Sequence, residues 1–249
     1  MTEEDRHWWF ASRTRALLGM LDRAVPPGKL LVLDVGCGAG NMIHHLSRYG
    51  QVVGMDNFLK PLLICRGRGY QAQLGDAAHL PYADSSFDLV AVLDVIEHCD
   101  DDQLALSECQ RVLRPGGLLV LTVPAFPWLW SHNDEINRHR RRYTGGELKR
   151  KLSQAGSRVR RLAYNNFFIF PLAAGLILAR KILGRKPALA APVTDEEAYQ
   201  VEMEPVAPAL NMALAGIGRL EAALLRFLDL PFGTSIICIA EKTGAAPPH

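Results

Sequence analysis

The stretch LLVLDVGCGAGN, residues 30–41, sets the architecture of this chain. An apolar run leads to an acid, Asp34, and glycines follow at alternate positions, Gly36, Gly38 and Gly40. Glycine allows backbone conformations that other residues avoid, and it lets a ligand approach the main chain closely. A helix that begins after such a turn presents free N–H groups to that ligand. The stretch therefore predicts a buried strand, a ligand-binding turn and a helix.

The acid beside the turn indicates which kind of ligand is favoured. Dinucleotide folds use the pattern G-x-G-x-x-G to hold a pyrophosphate at the helix N-terminus. In this chain the glycines alternate, and the Asp34 carboxylate would repel a phosphate but attract an ammonium group. We therefore expect a ligand with an amino-acid-like part rather than a dinucleotide.

Apolar runs and helical patterns alternate along the chain. Continuous apolar runs are typical of parallel strands that are covered on both faces. They occur at 30–35, 52–55, 87–93 and 118–123, with further predicted strands at 158–164 and 235–240. Because helical patterns separate the first four runs, we predict the α/β class, with a Rossmann-like doubly wound sheet.

The chain of 249 residues is long enough for one large domain with an insertion. The apolar share of 49% is that of an ordinary globular protein. The predicted units are an N-terminal helical lid, a Rossmann-like domain in two pieces, and a helical insertion before the last strand. Their boundaries are 1–28 for the lid, 29–166 and 229–243 for the domain, and 167–228 for the insertion.

Two further acids follow predicted strand positions. Asp56 comes directly after the second apolar run, where an acid commonly binds ribose hydroxyls. Asp76, beside Ala77, comes after the next strand position, where a carboxylate can accept a hydrogen bond from an adenine amine. With Asp34, these acids describe a ligand that has an amine, a ribose and an adenine.

Five short motifs, in this order, resemble those of class I S-adenosylmethionine-dependent methyltransferases. They are LDVGCGAG (33–40), VGMD (53–56), GDA (75–77), FDLV (87–90) and LRPGG (113–117). The resemblance is to the type 11 or type 23 small-molecule subgroup, and it covers residues 30 to about 123 closely. It implies S-adenosylmethionine as cofactor, S-adenosylhomocysteine as product, and an antiparallel last strand beside the fifth.

The resemblance also implies which residues contact the cofactor. The glycine turn would lie under the methionine part, Asp56 would bind the ribose, and Asp76 with Ala77 would lie at the adenine edge. The remaining expected contacts flank the adenine or approach the methionine end. They are Cys37, Asn41, Asn57, Phe58, Leu93, Asp94 and Val95.

Histidines after the fourth and fifth strands are the candidate catalytic residues. An oxygen or nitrogen nucleophile that carries a proton needs a base, and histidine is the usual one. His98 follows the fourth strand, and His132 and His139 lie in the predicted loop 124–144 after the fifth. An alternative is that Glu97 and His98 only cap or pack the next helix.

The predicted loop 124–144 lies where this family binds its acceptor. Its candidate substrate residues are Trp128, Trp130, Arg141, Arg142 and Tyr143. Arginine binds phosphate and carboxylate groups well, so the basic run 138–142 favours an anionic acceptor. The alternative is that these arginines pair with Asp134, Glu135 and Glu147. The histidines and acids of the loop do not have the spacing of a known ligand set, so no metal is predicted.

Two apolar segments lie outside the core motifs. The aromatic stretch 7–13 predicts a helix that closes over the cofactor, with Arg13 at the methionine carboxylate; alternatively, it packs on the sheet edge. The run 167–178 precedes basic residues at 180, 181, 185 and 186. This pattern is typical of a segment at an anionic membrane surface, but it also fits an apolar substrate pocket or a dimer interface.

Composition limits the remaining classes of function. The five cysteines are scattered, which favours a reducing compartment. With no signal peptide and no apolar run of spanning length, we predict a cytoplasmic protein, with peripheral contact at the inner membrane face left open. The net charge of +2 and the sequence LDVIEH (93–98), which lacks an Asn-Pro-Pro-Tyr-like element, indicate no nucleic-acid partner.

The predicted function is methyl transfer to an oxygen or nitrogen of a small, anionic or lipid-linked acceptor, by a monomer or homodimer. Aminopropyl transfer is disfavoured by the basic loop, because a polyamine needs acidic groups. A non-catalytic cofactor-binding module or membrane scaffold remains an alternative.

Overall fold

The computed structural model describes residues 7–25, 28–182 and 207–243. The strands in this part of the chain are β1 Leu30–Val35, β2 Gly50–Asp56, β3 Ala72–Leu74, β4 Phe87–Leu93, β5 Leu113–Pro124, β6 Ser157–Asn165 and β7 Ser235–Lys242. The α-helices are α1 Trp8–Ala24, α2 Asn41–Leu46, α3 Leu59–Gly67, α4 Asp102–Val112, α5 His132–Ile136, α6 Gly145–Gln154, α7 Phe170–Ile182 and α8 Pro208–Leu225.

The seven strands form one sheet in the order β3-β2-β1-β4-β5-β7-β6. Neighbours from β3 to β5 pair in parallel, whereas β7 pairs antiparallel with both β5 and β6. The predicted α/β class, the mostly parallel sheet and the antiparallel last strand are confirmed. Strands β2 and β3 lie on one side of β1, and β4 and β5 lie on the other side, so the strand order reverses between β1 and β4. In such sheets a ligand crevice is expected at the carboxyl ends of the two strands where the order reverses.

Helices cover both faces of the sheet, and each face has its own core. The core on one face includes Leu106 of α4 and Leu148 of α6. The core on the other face includes Met20 and Leu21 of α1 and Leu225 of α8. The second half of α1 is therefore part of the packed fold, and only its first turns reach the ligand edge of the sheet. The lid remains a prediction for those turns.

The helical insertion packs against α1. Gly218 of α8 lies against Ser12, because a Cβ at position 218 would fall 1.8 Å from the Ser12 Oγ. The Trp8 N–H also donates to the Asn211 Oδ1 at 2.9 Å. The predicted lid and part of the insertion thus form one helical layer.

One region differs from the sequence-based expectation. The segment 124–144 is not wholly a loop, since it contains a 3₁₀ turn, Pro127–Leu129, and the short helix α5. A capping box at Ser131 and Asp134 begins α5, a local signal that was present in the sequence. The predicted lid, 1–28, is described at residues 7–25 and 28, and the basic residues at 185 and 186 lie outside the described residues. Within the described ranges, no helix has the length and apolar character to cross a membrane.

Candidate cofactor and acceptor site

The glycine turn needs glycine for two physical reasons. Gly36, Gly38 and Gly40 have φ angles of +72°, +53° and +84°, which L side chains rarely adopt. In addition, a Cβ on Gly36 would lie 2.4 Å from the Val95 Cγ2, so the turn after β1 is in close contact with the segment after β4. The turn therefore leaves bare backbone at the carboxyl edge of the sheet.

Asp56 at the end of β2 holds this turn in place. Its carboxylate accepts hydrogen bonds from the Gly38 N–H at 2.8 Å and the Phe58 N–H at 2.9 Å. Each carboxylate oxygen has a further lone pair, so the group can still accept a ribose hydroxyl. The residue predicted to bind ribose thus also organises the turn.

Asp34 is buried beneath the turn, and one of its oxygens has no hydrogen-bond partner within the part of the chain that the structure describes. Burial, and then the charge of Asp56, raises its pKa to about 7. A cationic group brought to this place would stabilise the charged form of the carboxyl. This is consistent with the predicted ammonium-bearing ligand.

The expected adenine end of the site lies open to solvent. Asp76 and Asn57 are exposed, Ala77 is half-buried, and Phe58 exposes 63% of its surface. The Asp76 Oδ1 accepts the Ala78 N–H at 2.9 Å, which fixes its direction. An exposed aromatic ring beside a carboxylate can stack on a base whose amine bonds to that carboxylate.

Cys37 and Asn41 flank the glycine turn but have partners within the protein. Cys37 is buried, and burial raises the pKa of its thiol, so it stays protonated. The Arg68 guanidinium donates to the Ala39 carbonyl and to the Asn41 side chain, and so ties α3 to the turn. These contacts give both residues a role in the shape of the turn.

The end of β4 places Leu93, Asp94 and Val95 beside the turn. Asp94 has a φ of +54°, uncommon for a residue with a side chain. Its carboxylate accepts the Thr122 hydroxyl at 2.8 Å and pairs with the guanidinium of Arg13. The Arg13 Cζ also lies 4.7 Å from the Trp9 ring centroid. The ion pair between Arg13 and Asp94 brings α1 to this edge of the sheet. The guanidinium that was predicted to bind the ligand carboxylate therefore already contacts a carboxylate of the chain.

Three arginines of the basic run form ion pairs within the chain, which is the kind of pairing that the alternative interpretation predicted. Arg140 pairs with Asp100 at 2.6 Å, Arg141 with Asp102 at 3.0 Å and Arg142 with Asp134 at 2.7 Å. Asp134 is one of the acids named in that alternative, whereas Asp100 and Asp102 stand in place of Glu135 and Glu147. An anionic acceptor would have to displace an existing ion pair to reach these guanidinium groups.

Tyr143, another predicted substrate residue, is fully buried. Its hydroxyl donates to the Asp102 carboxylate at 2.8 Å, and burial together with this acid raises its pKa. Tyr143 therefore fixes the segment after β5 to α4 instead of facing the crevice.

Two of the three candidate catalytic histidines lie together. The ring centroids of His98 and His139 are 4.9 Å apart, and the rings meet edge to face. His132 belongs to α5 and pairs with Glu135 at 3.1 Å, outside this pair. Partial burial, and then His139, lowers the pKa of His98 to about 4, although the residue also reaches solvent. A neutral imidazole is the form that can accept a proton.

Glu97 lies beside the two histidines and was not among the predicted site residues. It has no exposed surface, and burial raises its pKa to about 8, against the lowering effect of Arg13 and Arg142. The signal in the sequence was its place in LDVIEH, directly after a strand end, where we expected only capping or packing.

An aromatic wall lies beside the carboxyl ends of β5 and β6. We use this name for Phe126, Trp128, Tyr164, Phe170 and Phe232. Phe126 stacks on Tyr164 with ring centroids 5.2 Å apart, and the Phe170 ring lies 5.2 Å from Phe232 and 6.0 Å from Trp128. Trp128 remains 46% exposed. Trp130, the other predicted tryptophan, is half-buried and is not part of this wall.

Part of the chain is similar to known methyltransferases. A family model described as a methyltransferase domain matches residues 33–121. A probable S-adenosylmethionine-dependent methyltransferase of Mycolicibacterium smegmatis is 34% identical over 135 residues, which cover 51% of this chain and 52% of that protein. A ubiquinone biosynthesis O-methyltransferase of Hahella chejuensis is 36% identical over 103 residues, with 38% of this chain and 43% of that protein covered. The chain thus spans about half the length of these curated relatives.

A solved structure shows the same fold. It is a SAM-dependent methyltransferase of Thermotoga maritima, described as a possible histamine N-methyltransferase, with a TM-score of 0.58 and 20% identity over 94% of this chain and 93% of that one. At 20% identity this likeness shows a shared fold, while the match of residues 33–121 is to a methyltransferase domain. The Mycolicibacterium and Thermotoga proteins are both named as S-adenosylmethionine-dependent.

Proposed function

We propose that the protein transfers a methyl group from S-adenosylmethionine to an oxygen or nitrogen atom of a small or lipid-linked acceptor with a substantial apolar part. The observation that carries the acceptor class is the aromatic wall beside the carboxyl ends of β5 and β6. Such a surface binds flat or aliphatic groups by burying apolar area. The name of the Hahella relative, an O-methyltransferase of ubiquinone biosynthesis, fits an acceptor of this type.

The residues of the turn fit the cofactor. Gly36 packs against Val95 without a side chain of its own, and one oxygen of the buried Asp34 has no hydrogen-bond partner among the described residues and can receive a positive charge. Asp56 and Asp76 supply acceptors for the ribose and the adenine. When bound, the cofactor supplies a methyl group on a positively charged sulfur, which any suitably placed nucleophile can attack.

The chain contributes alignment and proton handling. An in-line displacement needs the acceptor atom close to the methyl carbon and water kept away. Val95 packs on the turn at Gly36, and the aromatic wall lies beside the ends of β5 and β6. His98 follows β4 and lies beside His139, so either imidazole is a candidate group to take the proton that leaves the acceptor. His132 lies apart, and we assign it no role.

The test is a methyl-transfer assay with purified protein and two matched phenolic acceptors, one with an isoprenoid chain and one without. We expect transfer to the chain-bearing phenol with a lower KM. Trp128→Ala should raise that KM several-fold and leave the KM of the short phenol unchanged. Trp130→Ala is the matched control from the same segment.

The outcomes separate the alternatives. Equal KM values for the two phenols would remove the apolar acceptor class. Binding of S-adenosylhomocysteine without turnover of either phenol or of a lipid-linked sugar would favour the non-catalytic module. Turnover only with decarboxylated cofactor and a polyamine would favour aminopropyl transfer.

A further inference from the structure

Three side chains from two separate segments converge near the end of β4. Glu97 and His98 follow β4, whereas His139 comes from the segment after β5. One potential ligand atom from each residue lies within 4.8 Å of the other two. Convergence of a carboxylate and two imidazoles at this distance is the arrangement that divalent transition metals use in proteins.

The buried acid of this group lacks a partner. Glu97 has no exposed surface, and neither of its carboxylate oxygens has a hydrogen-bond partner among the described residues. A buried carboxyl group without a hydrogen bond or counter-ion is costly, so such groups are paired or bind metals. An ion bound to a Glu97 oxygen can also be bound by His98 and His139.

His139 is oriented as a metal ligand would be. Its Nδ1 lies 2.9 Å from the Asp134 carboxylate, which is itself fully buried. Asp134 also accepts the Ser131 N–H and the Arg142 guanidinium, each at 2.7 Å, so its position is fixed. An imidazole held through one nitrogen by a carboxylate presents the other nitrogen to a metal.

The two arginines near Glu97 already form ion pairs with other carboxylates. Arg142 pairs with Asp134, and Arg13 pairs with Asp94. Glu97 is thus the carboxylate of this neighbourhood that has no ion pair. A cation placed between Glu97 and the two histidines would balance it, and His98 at the surface provides a path for entry from solvent.

We propose that Glu97, His98 and His139 bind one divalent transition-metal ion, with Asp134 as the positioning residue for His139. Three protein ligands leave room for an oxygen of the acceptor. The ion would lower the pKa of an acceptor hydroxyl. With the ion bound, His98 and His139 serve as ligands and not as proton acceptors, so the O–H proton passes to water, the oxygen bonds to the methyl carbon, and the C–S electron pair remains on sulfur. This role rests on the proposed methyl transfer, whereas metal binding itself does not.

The experiment measures metal binding without cofactor or acceptor. Chelator-treated protein is titrated with Co²⁺ and followed by visible absorption, and with Zn²⁺ by calorimetry. We expect one ion per chain and weaker binding of Mg²⁺, because imidazole suits transition metals better. His139→Gln and Glu97→Gln should lose at least about tenfold in Co²⁺ affinity, and Asp134→Asn about 10- to 100-fold.

His132→Gln is the matched control, because it removes an imidazole of the same segment that lies outside the group. S-adenosylhomocysteine binding and the melting temperature report whether each variant is folded. Absence of stoichiometric Co²⁺ binding by wild-type protein, or unchanged Co²⁺ affinity in a folded His139→Gln variant, would overturn the proposal. Failure of methyl transfer with intact Co²⁺ binding would instead count against the proposed function alone.

Discussion

Single residues at the strand ends adopt backbone conformations that side chains ordinarily avoid. Gly36 and Gly38 do so after β1, Asp94 after β4 and Phe126 after β5. Such conformations cost about 1–3 kcal/mol each where the residue is not glycine, and they cluster at functional sites. Asp94 is held by Thr122 and Arg13, which shows how the surrounding contacts can offset this cost.

Gly36→Ala should weaken cofactor binding. The new Cβ would lie 2.4 Å from the Val95 Cγ2, and the left-handed φ adds roughly 1–2 kcal/mol of strain. We expect the affinity for S-adenosylhomocysteine, measured by calorimetry, to fall at least tenfold. Gly146→Ala is the control, because a Cβ there meets nothing within 4 Å. Adding Val95→Ala to Gly36→Ala should recover part of the affinity; no recovery would contradict the role given to the close contact.

Asp34→Asn should change how stability depends on pH. Asp34 has a pKa of about 7 in the folded protein, whereas an unfolded aspartate titrates near pH 4. The folded state therefore holds a proton that the unfolded chain releases, and the free energy of unfolding falls as pH rises from about 4 to 7. The amide does not titrate, so the variant lacks this fall.

Urea denaturation at pH 5 and pH 8 measures this effect. The difference in unfolding free energy between the two pH values should be smaller for Asp34→Asn than for wild-type protein. The exposed Asp84 supplies the control variant, Asp84→Asn. An unchanged pH difference in Asp34→Asn would show that Asp34 is not the titrating group.

Whole elements were predicted best where burial on both faces leaves a continuous apolar run. The predictions for 30–35 and 87–93 coincide with β1 and β4. β5 begins earlier than expected, at Leu113, because Leu113 pairs with Phe87 before the register shifts. The motif LRPGG therefore lies within a strand and not before it. Local patterns do not report such irregular pairing.

The contact between α1 and α8 gives a prediction for these elements. Gly218→Val should lower the free energy of unfolding by about 1–3 kcal/mol, the usual cost of overpacking, since even a Cβ would lie 1.8 Å from the Ser12 Oγ. Gly216→Ala is matched on the same helix, where the nearest atom is 3.8 Å away. This control should be neutral or stabilising by up to ~1 kcal/mol. Chemical denaturation measures both, and equal effects would contradict the packing described.

At the level of the whole molecule, the place of the predicted cofactor residues on the sheet could be read from the sequence, whereas the surroundings of the predicted acceptor residues could not. The predicted cofactor residues follow successive strands, so their order along the chain predicts their place on the sheet. The aromatic wall joins Phe126, Phe170 and Phe232, which are far apart in sequence and meet only through tertiary packing. The partners of Arg140 and Arg141 could not be predicted for the same reason, because Asp100 and Asp102 become their neighbours only in the fold.

Membrane contact remains a prediction for the whole molecule. α7 exposes apolar side chains, among them Leu172 and Leu176, at 64% and 50% exposure, and ends with Arg180 and Lys181. We expect co-sedimentation with vesicles that contain anionic phospholipid, weakened by high salt. Leu172→Ser with Leu176→Ser should reduce it several-fold, whereas Leu63→Ser on α3, a similarly exposed leucine, should not. Equal sedimentation with neutral vesicles, or none with either, would contradict the prediction.

The position of β7 has a consequence for how the protein is made. β7 follows the other six described strands along the chain, yet it lies between β5 and β6 in the sheet. Until residues 235–242 emerge from the ribosome, β5 and β6 each present a row of unpaired N–H and C=O groups to other nascent chains. This part of the sheet closes only after β7 has been synthesised. A nonsense mutation just before Ser235 would thus release a chain with two open edges, prone to aggregation although every predicted cofactor residue is present.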